Sequence, residues 1–400
     1  MLLPLLLPLL FTHASAFLLL AQPLLLARLD PIVQPGIVSQ HAHAVVGGSA
    51  FQPNYDGPTF AAARCTTMQV TVDKSDYWSP AVFGRNGNGT YEPLALREVR
   101  AYYLLQGNES VTAFPNGLKM VAGNAMSLNA SGNTYDGSAY ARFDCQQGDD
   151  TDPTNGLAMR GFPPYACQGF LRASIPFGNC WDGRNLDSQD HYAHMAYAGN
   201  GGGGSCPDTH PVRFPQLIVE LGWESSAYPA DALILANGDT TGYSLHADFA
   251  MGWNRTILSS ALADPTCQHR ENLYGSGAQC ATLLPYLNSA SGSCTLEGRI
   301  PQESVGLGFG PALPQLPGCN LSWSSGDRPA CREPDLVGIG APTGFVDWSG
   351  ASVPVWQGKA SGAGKGRGKG HRRMLRSRAV AKRRAHFVAG AATVAAVAAL

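Results

Sequence analysis

Phe214-Pro215-Gln216-Leu217-Ile218-Val219-Glu220-Leu221 reads as a buried strand: a short apolar run, rich in branched residues, with a proline at its head. Leu233-Ile234-Leu235 reads the same way. Upstream, Arg97 to Leu105 and Gln69-Val70-Thr71-Val72 are strand-like, and Arg28-Leu29-Asp30-Pro31-Ile32-Val33 reads as a short strand. Turn chemistry separates these runs at Pro35-Gly36, Asn86-Gly87-Asn88-Gly89 and Phe114-Pro115-Asn116-Gly117. A short helix is expected from near Trp253 to Leu262. The chain has 47 Gly and 28 Pro, which favours turns over long helices. The expected fold is mainly β: a disulfide-tied sandwich or jelly-roll-like domain with long loops and a Cys/Pro-rich extension.

Residues 1–16 are almost wholly apolar and end in Ala14-Ser15-Ala16, the pattern of a cleaved export signal without its usual basic start. A second apolar run reaches Ala27, so cleavage at 27, or a membrane anchor formed by both runs, is the alternative. Prolines at 4, 8 and 23 oppose one continuous spanning helix. The ten cysteines are even in number and contain no CxxC pair, which points to disulfides rather than zinc sites. Sequons stand at Asn88, Asn108, Asn129, Asn254 and Asn320. All three features agree with a secreted, extracellular protein.

The organisation read from the chain is a core domain over 28–270, a Cys/Pro-rich extension over 271–358, a basic linker over 359–386 and a short apolar tail over 387–400. Eleven of the 28 Lys and Arg lie from Lys359 onward, where there is no acid. The body is therefore acidic, which disfavours nucleic acid as a partner. The tail suits an anionic wall polymer or a membrane, or removal at Arg372-Arg373 and Lys382-Arg383-Arg384; residues 387–400 could alternatively be a lipid-anchor signal.

Six of the ten histidines fall in four polar patches: His41 and His43, then Asp190, His191 and His194, then His210 with Arg213, and His246 with Asp248 after Asp239. His41 and His43, like His246 and Asp248, have the two-residue spacing that puts side chains on one face of a strand. Asp190, His191 and His194 suit a helical turn or tight loop. Imidazoles with carboxylates make an acid/base site or a metal site, and a divalent metal at the histidine cluster is the cofactor this composition admits. Arg213 could grip a carboxylate or form an internal salt bridge, and Asp239 could be an acid or cap its Asn-Gly turn. No GxSxG elbow, HExxH helix or phosphate loop occurs.

The ordered segments Leu29-Asp30-Pro31-Ile32-Val33, Ser39-Gln40-His41-Ala42-His43, Asp73-Lys74-Ser75-Asp76-Tyr77-Trp78, Cys180 to Ser188, His210-Pro211-Val212-Arg213, Asn237-Gly238-Asp239 and His246-Ala247-Asp248-Phe249, with Gly252-Trp253, resemble the fungal secreted family called domain of unknown function 1996. Leu316-Pro317-Gly318-Cys319-Asn320 continues the resemblance. It implies a secreted, wall-associated fungal protein and brings no activity with it. It also implies a cysteine near Cys65 where this chain has Met68.

Three functions are carried forward. The first is a carbohydrate-active enzyme of the cell surface, a glycoside hydrolase or polysaccharide lyase. In it His41, His43, His191, His194, His210, His246, Asp190, Asp239, Asp248 and Arg213 supply catalysis, and Trp181, Tyr243 and Trp253 stack on sugar rings. The second is a non-catalytic binder of wall polysaccharide. The third is a histidine-built metal protein. The basic linker cannot bury apolar surface, so truncation after Gly358 should leave secretion and melting temperature unchanged while lowering salt-sensitive retention on cells. A large drop in melting temperature would contradict this.

Overall fold

The computed structural model describes residues 15–107, 109–133, 141–147, 154–268, 280–303, 305, 312–324, 326, 328–330 and 345–347. Residues 1–14, the basic linker and the apolar tail lie outside them.

Two five-stranded antiparallel sheets form a sandwich. One has the order β1 (Ser15–Ala21), β7 (Leu96–Leu105), β14 (Gln216–Trp223), β10 (Phe170–Pro176), β9 (Arg142–Gln146). The other runs β2 (Leu25–Ala27), β3 (His43–Val46), β4 (Asp76–Pro80), β16 (His246–Ala250), β8 (Lys119–Gly123). Smaller sheets are β15 (Leu233–Leu235), β5 (Val82–Arg85), β6 (Tyr91–Pro93); β12 (Met195–Ala196), β11 (Cys180–Trp181), β13 (Val212–Arg213); and β17 (Arg299–Pro301) with β18 (Phe345–Asp347). Helices α1 (Gly57–Ala61) and α2 (Arg255–Ala263) are short.

Alternation decides what each face does. Leu217, Val219 and Leu221 of β14 and Val99, Ala101 and Tyr103 of β7 meet Ala44, Val46, Tyr77, Met120, Ala122, Ala247 and Phe249 of the other sheet in one buried cluster. The opposite face of the first sheet is polar, with Arg172 paired to Asp144 at 3.0 Å and to Glu220 at 3.5 Å. The outer face of the second sheet is different. Leu25, Val45, Trp78 and Val121 are buried there beneath Leu29, Ile32, Phe51, Phe60 and Leu296. That face is roofed, and its polar residues are buried with it.

Residues 15–27 carry edge strands of both sheets, with Phe17, Leu19 and Leu26 in the core. The body therefore begins ahead of residue 28. A cut after Ala16 leaves Phe17 stacked on Tyr103 at 4.7 Å, whereas a cut at 27 removes both strands. An anchor made of both leader runs is at odds with this, since the second run is strand. Among the described residues no helix is long and apolar enough to cross a membrane.

Other expectations shift locally. Residues 31–33 are a turn, because the Asp30 carboxylate accepts from Ile32 N at 3.2 Å and Val33 N at 3.0 Å. The 69–72 run makes one isolated bridge, Val70 with Leu287. The extension is part of the body: Leu283 and Leu316 enter the main core, and bridges join Leu313 to Tyr91 and Trp323 to Asp239. Disulfides are Cys65–Cys294, Cys145–Cys167, Cys180–Cys206 and Cys267–Cys280. Cys319 is also bonded, and none of the described cysteines is free. Cys65 finds its partner 229 residues away, and Met68 fills a fully buried position. That bridge ties the roof to the extension and, of the four described bridges, closes the longest loop and so restricts the unfolded chain most.

A polar chain crosses the sandwich interior. Trp253 Nε1 donates to the Tyr103 hydroxyl at 2.8 Å, the Tyr103 and Tyr77 hydroxyls are bonded to each other, and Tyr77 donates to Asp73 Oδ2 at 2.8 Å. Burial pushes the Asp73 carboxyl up to about 7, against the Tyr77 and Ser75 hydrogen bonds. Its unfolded value lies near 4, so its contribution to stability is present below pH 4 and is lost as pH rises to 7. The stability of the native protein relative to Asp73→Asn should therefore fall by about 1 kcal/mol or more between pH 5 and 7 in urea unfolding. A pH-independent difference would contradict this assignment.

Candidate metal centre

His43 opens β3 opposite Pro80 of β4, and His246 opens β16 opposite Gly123 of β8. Continuing the β16–β4 register from Asp248 and Trp78 places His246 beside Pro80 as well. Both imidazoles therefore project from the roofed face, on either side of β4. Gly123 has φ +87°, and a Cβ there would come within 2.5 Å of His246 Cα, so only glycine lets His246 sit as it does. His41 precedes β3 and reaches over from the roof. The ring centroids are 4.3 Å apart for His41 and His43, 5.1 Å for His41 and His246, and 6.1 Å for His43 and His246.

The loop carrying His41 is held from several sides. Ser39 Oγ donates to His41 O, and Arg28 Nη1 donates to Ser39 O. Arg28 is itself fixed by Glu303 of the extension at 2.8 Å. Asn320 Nδ2, also from the extension, donates to Gln40 O at 2.8 Å.

Hydrogen bonding decides which ring nitrogens carry protons. A carbonyl only accepts, so His43 Nδ1–H donates to Leu29 O at 2.9 Å and His246 Nδ1–H to Ser244 O at 2.8 Å. Both neutral rings then present a bare Nε2 lone pair. His43 Nε2 is buried with no hydrogen-bond partner, and so is His41 Nδ1. His246 Nε2, left as an acceptor, takes a hydrogen bond from His41 Nε2–H at 3.2 Å. Two imidazole nitrogens bound tetrahedrally at zinc-like distances stand about 3.3 Å apart. One ligand atom from each of the three histidines lies within 4.8 Å of the others. Burial pushes all three imidazoles down, His43 and His246 to about 4; for His41 the neighbouring His43 and His246 add to the effect. The rings are therefore neutral at neutral pH, the form that binds metal. Asp264 also approaches Cys267 and Cys280, but those sulfurs are joined to each other.

Carboxyls stand beside this centre. Asp30 is raised by burial and held back by its Ile32 and Val33 hydrogen bonds and by the His246 and His191 imidazoles. Asp248, on the same face as His246, is buried with neither oxygen hydrogen-bonded, and burial and then Asp30 push its carboxyl well up.

His191 and His194 form a second cluster against Lys119, at the opposite end of β8 from Gly123. His191 Nδ1 bonds Asp187 Oδ1 at 2.8 Å, Lys119 pairs with the other Asp187 oxygen, and His191 has φ +63°. His194 is held between Ser188 Oγ at 3.0 Å and Lys119 O at 2.7 Å. Asp190 caps this tight loop through Ala193 N, Ser188 Oγ and Tyr192 N, which hold its carboxyl down near 2.

Other expected site residues are engaged elsewhere. His210 bonds Thr209 Oγ1 and Ala193 O. Arg213 is buried and donates to the carbonyls of Gly202, Gly204 and Gln106, so it holds the glycine-rich segment 199–204 rather than a substrate carboxylate. Asp239 accepts from the N–H and hydroxyl of both Thr241 and Ser244, the capping role, and leaves no oxygen for acid catalysis. Trp253 is buried in the sandwich interior and cannot stack on a sugar. Trp181 gives one face to Phe214, with centroids 5.5 Å apart, and Tyr243 is half-buried with its ring against Gly161. Sequence reasoning did not single out Asp30, Arg28 and Arg328 as site residues. The Asp-Pro dipeptide was the available signal for the first, and the other two carried none.

A family model described as domain of unknown function (DUF1996) matches residues 30–253, which include all three centre histidines. No curated protein and no solved structure matches the chain.

Asn320 is buried, and its Nδ2 is used on Gln40 O and Pro317 O. A glycan on that nitrogen would pry the extension from the loop carrying His41. Glycopeptide mass spectrometry of folded protein made in a glycosylating host should therefore find Asn320 unmodified, with occupancy confined to exposed sequons such as Asn88, Asn129 and Asn254. Occupied Asn320 in folded material would contradict the placement.

Proposed function

We propose that the chain, which belongs to the DUF1996 family, is an extracellular metalloprotein in which His41, His43 and His246 hold one divalent first-row transition ion. The observation that carries this reading is the pair of unprotonated Nε2 atoms, oriented by the Leu29 and Ser244 carbonyls, converging with His41. An all-imidazole set suits zinc, copper, iron or nickel better than calcium or magnesium. Three protein ligands leave a coordination position open, the arrangement of reactive rather than purely structural sites. Such an ion polarises a bound oxygen or lowers the pKa of a bound water. Asp30 acts electrostatically on both His246 and Asp248, so these two carboxyls are the groups we assign to proton uptake and release.

A second reading keeps the carbohydrate-active enzyme of the cell wall, hydrolase or lyase. It is favoured by the same Asp30 and Asp248 beside His246, since glycosidic cleavage uses paired acid and base groups. Arg213, Asp239 and Trp253 have no part in it. Product release from wall oligosaccharides that persists in chelator favours this reading over the first.

Calorimetric titration with Zn2+ or Co2+ should find one site per chain. His43→Ala and His246→Ala should each weaken it at least 100-fold, with His210→Ala unchanged. Bound ion should also raise the melting temperature of the native protein and not of the two alanine variants. Equal binding by all four proteins would overturn the proposal.

A further inference from the structure

The extension brings one cation to the edge of the histidine centre. Arg328 is half-buried, and its Nη2 donates to Asn320 Oδ1 at 2.7 Å. Asn320 in turn donates to Gln40 O, next to His41. Arg328 thus reaches the centre through one side chain and one peptide. Arg328 lies within electrostatic reach of both His41 and His246.

Among the described residues, no carboxylate neutralises this guanidinium by direct contact. Among the described residues it makes no salt bridge, and the acid that acts on it, Asp239, has its oxygens taken by Thr241 and Ser244. Arg28, the other arginine beside His41, is matched by Glu303 and has no such freedom. A bare arginine next to a centre that takes a cation is unfavourable by Coulomb repulsion. The repulsion becomes attraction when an anion sits between them. The planar fork of arginine suits carboxylate and phosphate oxygens in particular.

We infer that the ligand of this centre is a small oxyanion, bound with one oxygen at the open coordination position and another on the Arg328 guanidinium. The inference rests on the metal reading above and deepens it. It moves carboxylate recognition from Arg213, whose donors are spent on backbone carbonyls, to Arg328. It also gives the extension a part in the site, since Arg328 lies beyond the matched segment 30–253.

The full-length protein loaded with Co2+ offers a direct test, because the visible spectrum of the ion reports a change in its ligands. Acetate, D-glucuronate and inorganic phosphate would be titrated separately, with D-glucose as the neutral control. The inference expects saturable spectral shifts with one or more anions and none with glucose. A uronic-sugar source is indicated if glucuronate binds more tightly than acetate, and a phosphate source if phosphate exceeds both. Arg328→Gln should weaken anion binding about tenfold or more, Arg328→Lys should retain part of it, and Co2+ affinity in anion-free buffer should stay equal or rise in both. Anion binding as tight in Arg328→Gln as in the native protein, or no anion response at all, overturns the inference and leaves the metal centre standing. Failure of Co2+ to bind the native protein overturns both.

Discussion

The outer face of the β2-β3-β4-β16-β8 sheet is covered, and most of the chemistry of this protein follows from that. A solvated sheet face would let histidines and aspartates exchange hydrogen bonds with water. Here Leu29, Ile32, Phe51, Phe60 and Leu296 close over it, so each buried polar atom must find a partner or bear the cost of lacking one. The Leu29 and Ser244 carbonyls satisfy one nitrogen each on His43 and His246. The nitrogens left over point at one another. The same burial that makes them costly as free groups keeps them unprotonated and ready to ligate.

The roof is assembled from distant parts of the chain. Its loop carries His41, and its outer brace comes from the extension through Arg28–Glu303, Asn320–Gln40 and the Cys65–Cys294 bridge. The extension therefore works as part of the centre. The interior chain from Trp253 through Tyr103 and Tyr77 to Asp73 links the two sheets and sets the position of β4 beneath the histidines.

The strands were legible where burial and alternation coincide, as in 97–105, in 214–221, where the strand runs Gln216–Trp223, and in 233–235. The pairing of His41 with His43 and of His246 with Asp248 was legible from the two-residue period. What escaped was set by long-range contact. Residues 17–27 looked like part of a leader because a core edge strand and a signal segment share an apolar composition; only pairing with β7 and β3 separates them. Arg213 and Asp239 looked available because a sequence does not show that their hydrogen bonds are already used by neighbouring backbone and hydroxyl groups. His210 was grouped with the centre by residue type alone, and its ring is spent on Ala193 O.

The account stands on three imidazoles sharing one ion. X-ray absorption at the metal edge of the protein loaded with one equivalent of Zn2+ tests it most directly. The account predicts about three nitrogen scatterers near 2.0 Å with the outer-shell pattern of imidazole, and loss of one in His43→Ala. A shell of oxygen atoms without imidazole scattering, or one unchanged in His43→Ala, would contradict it.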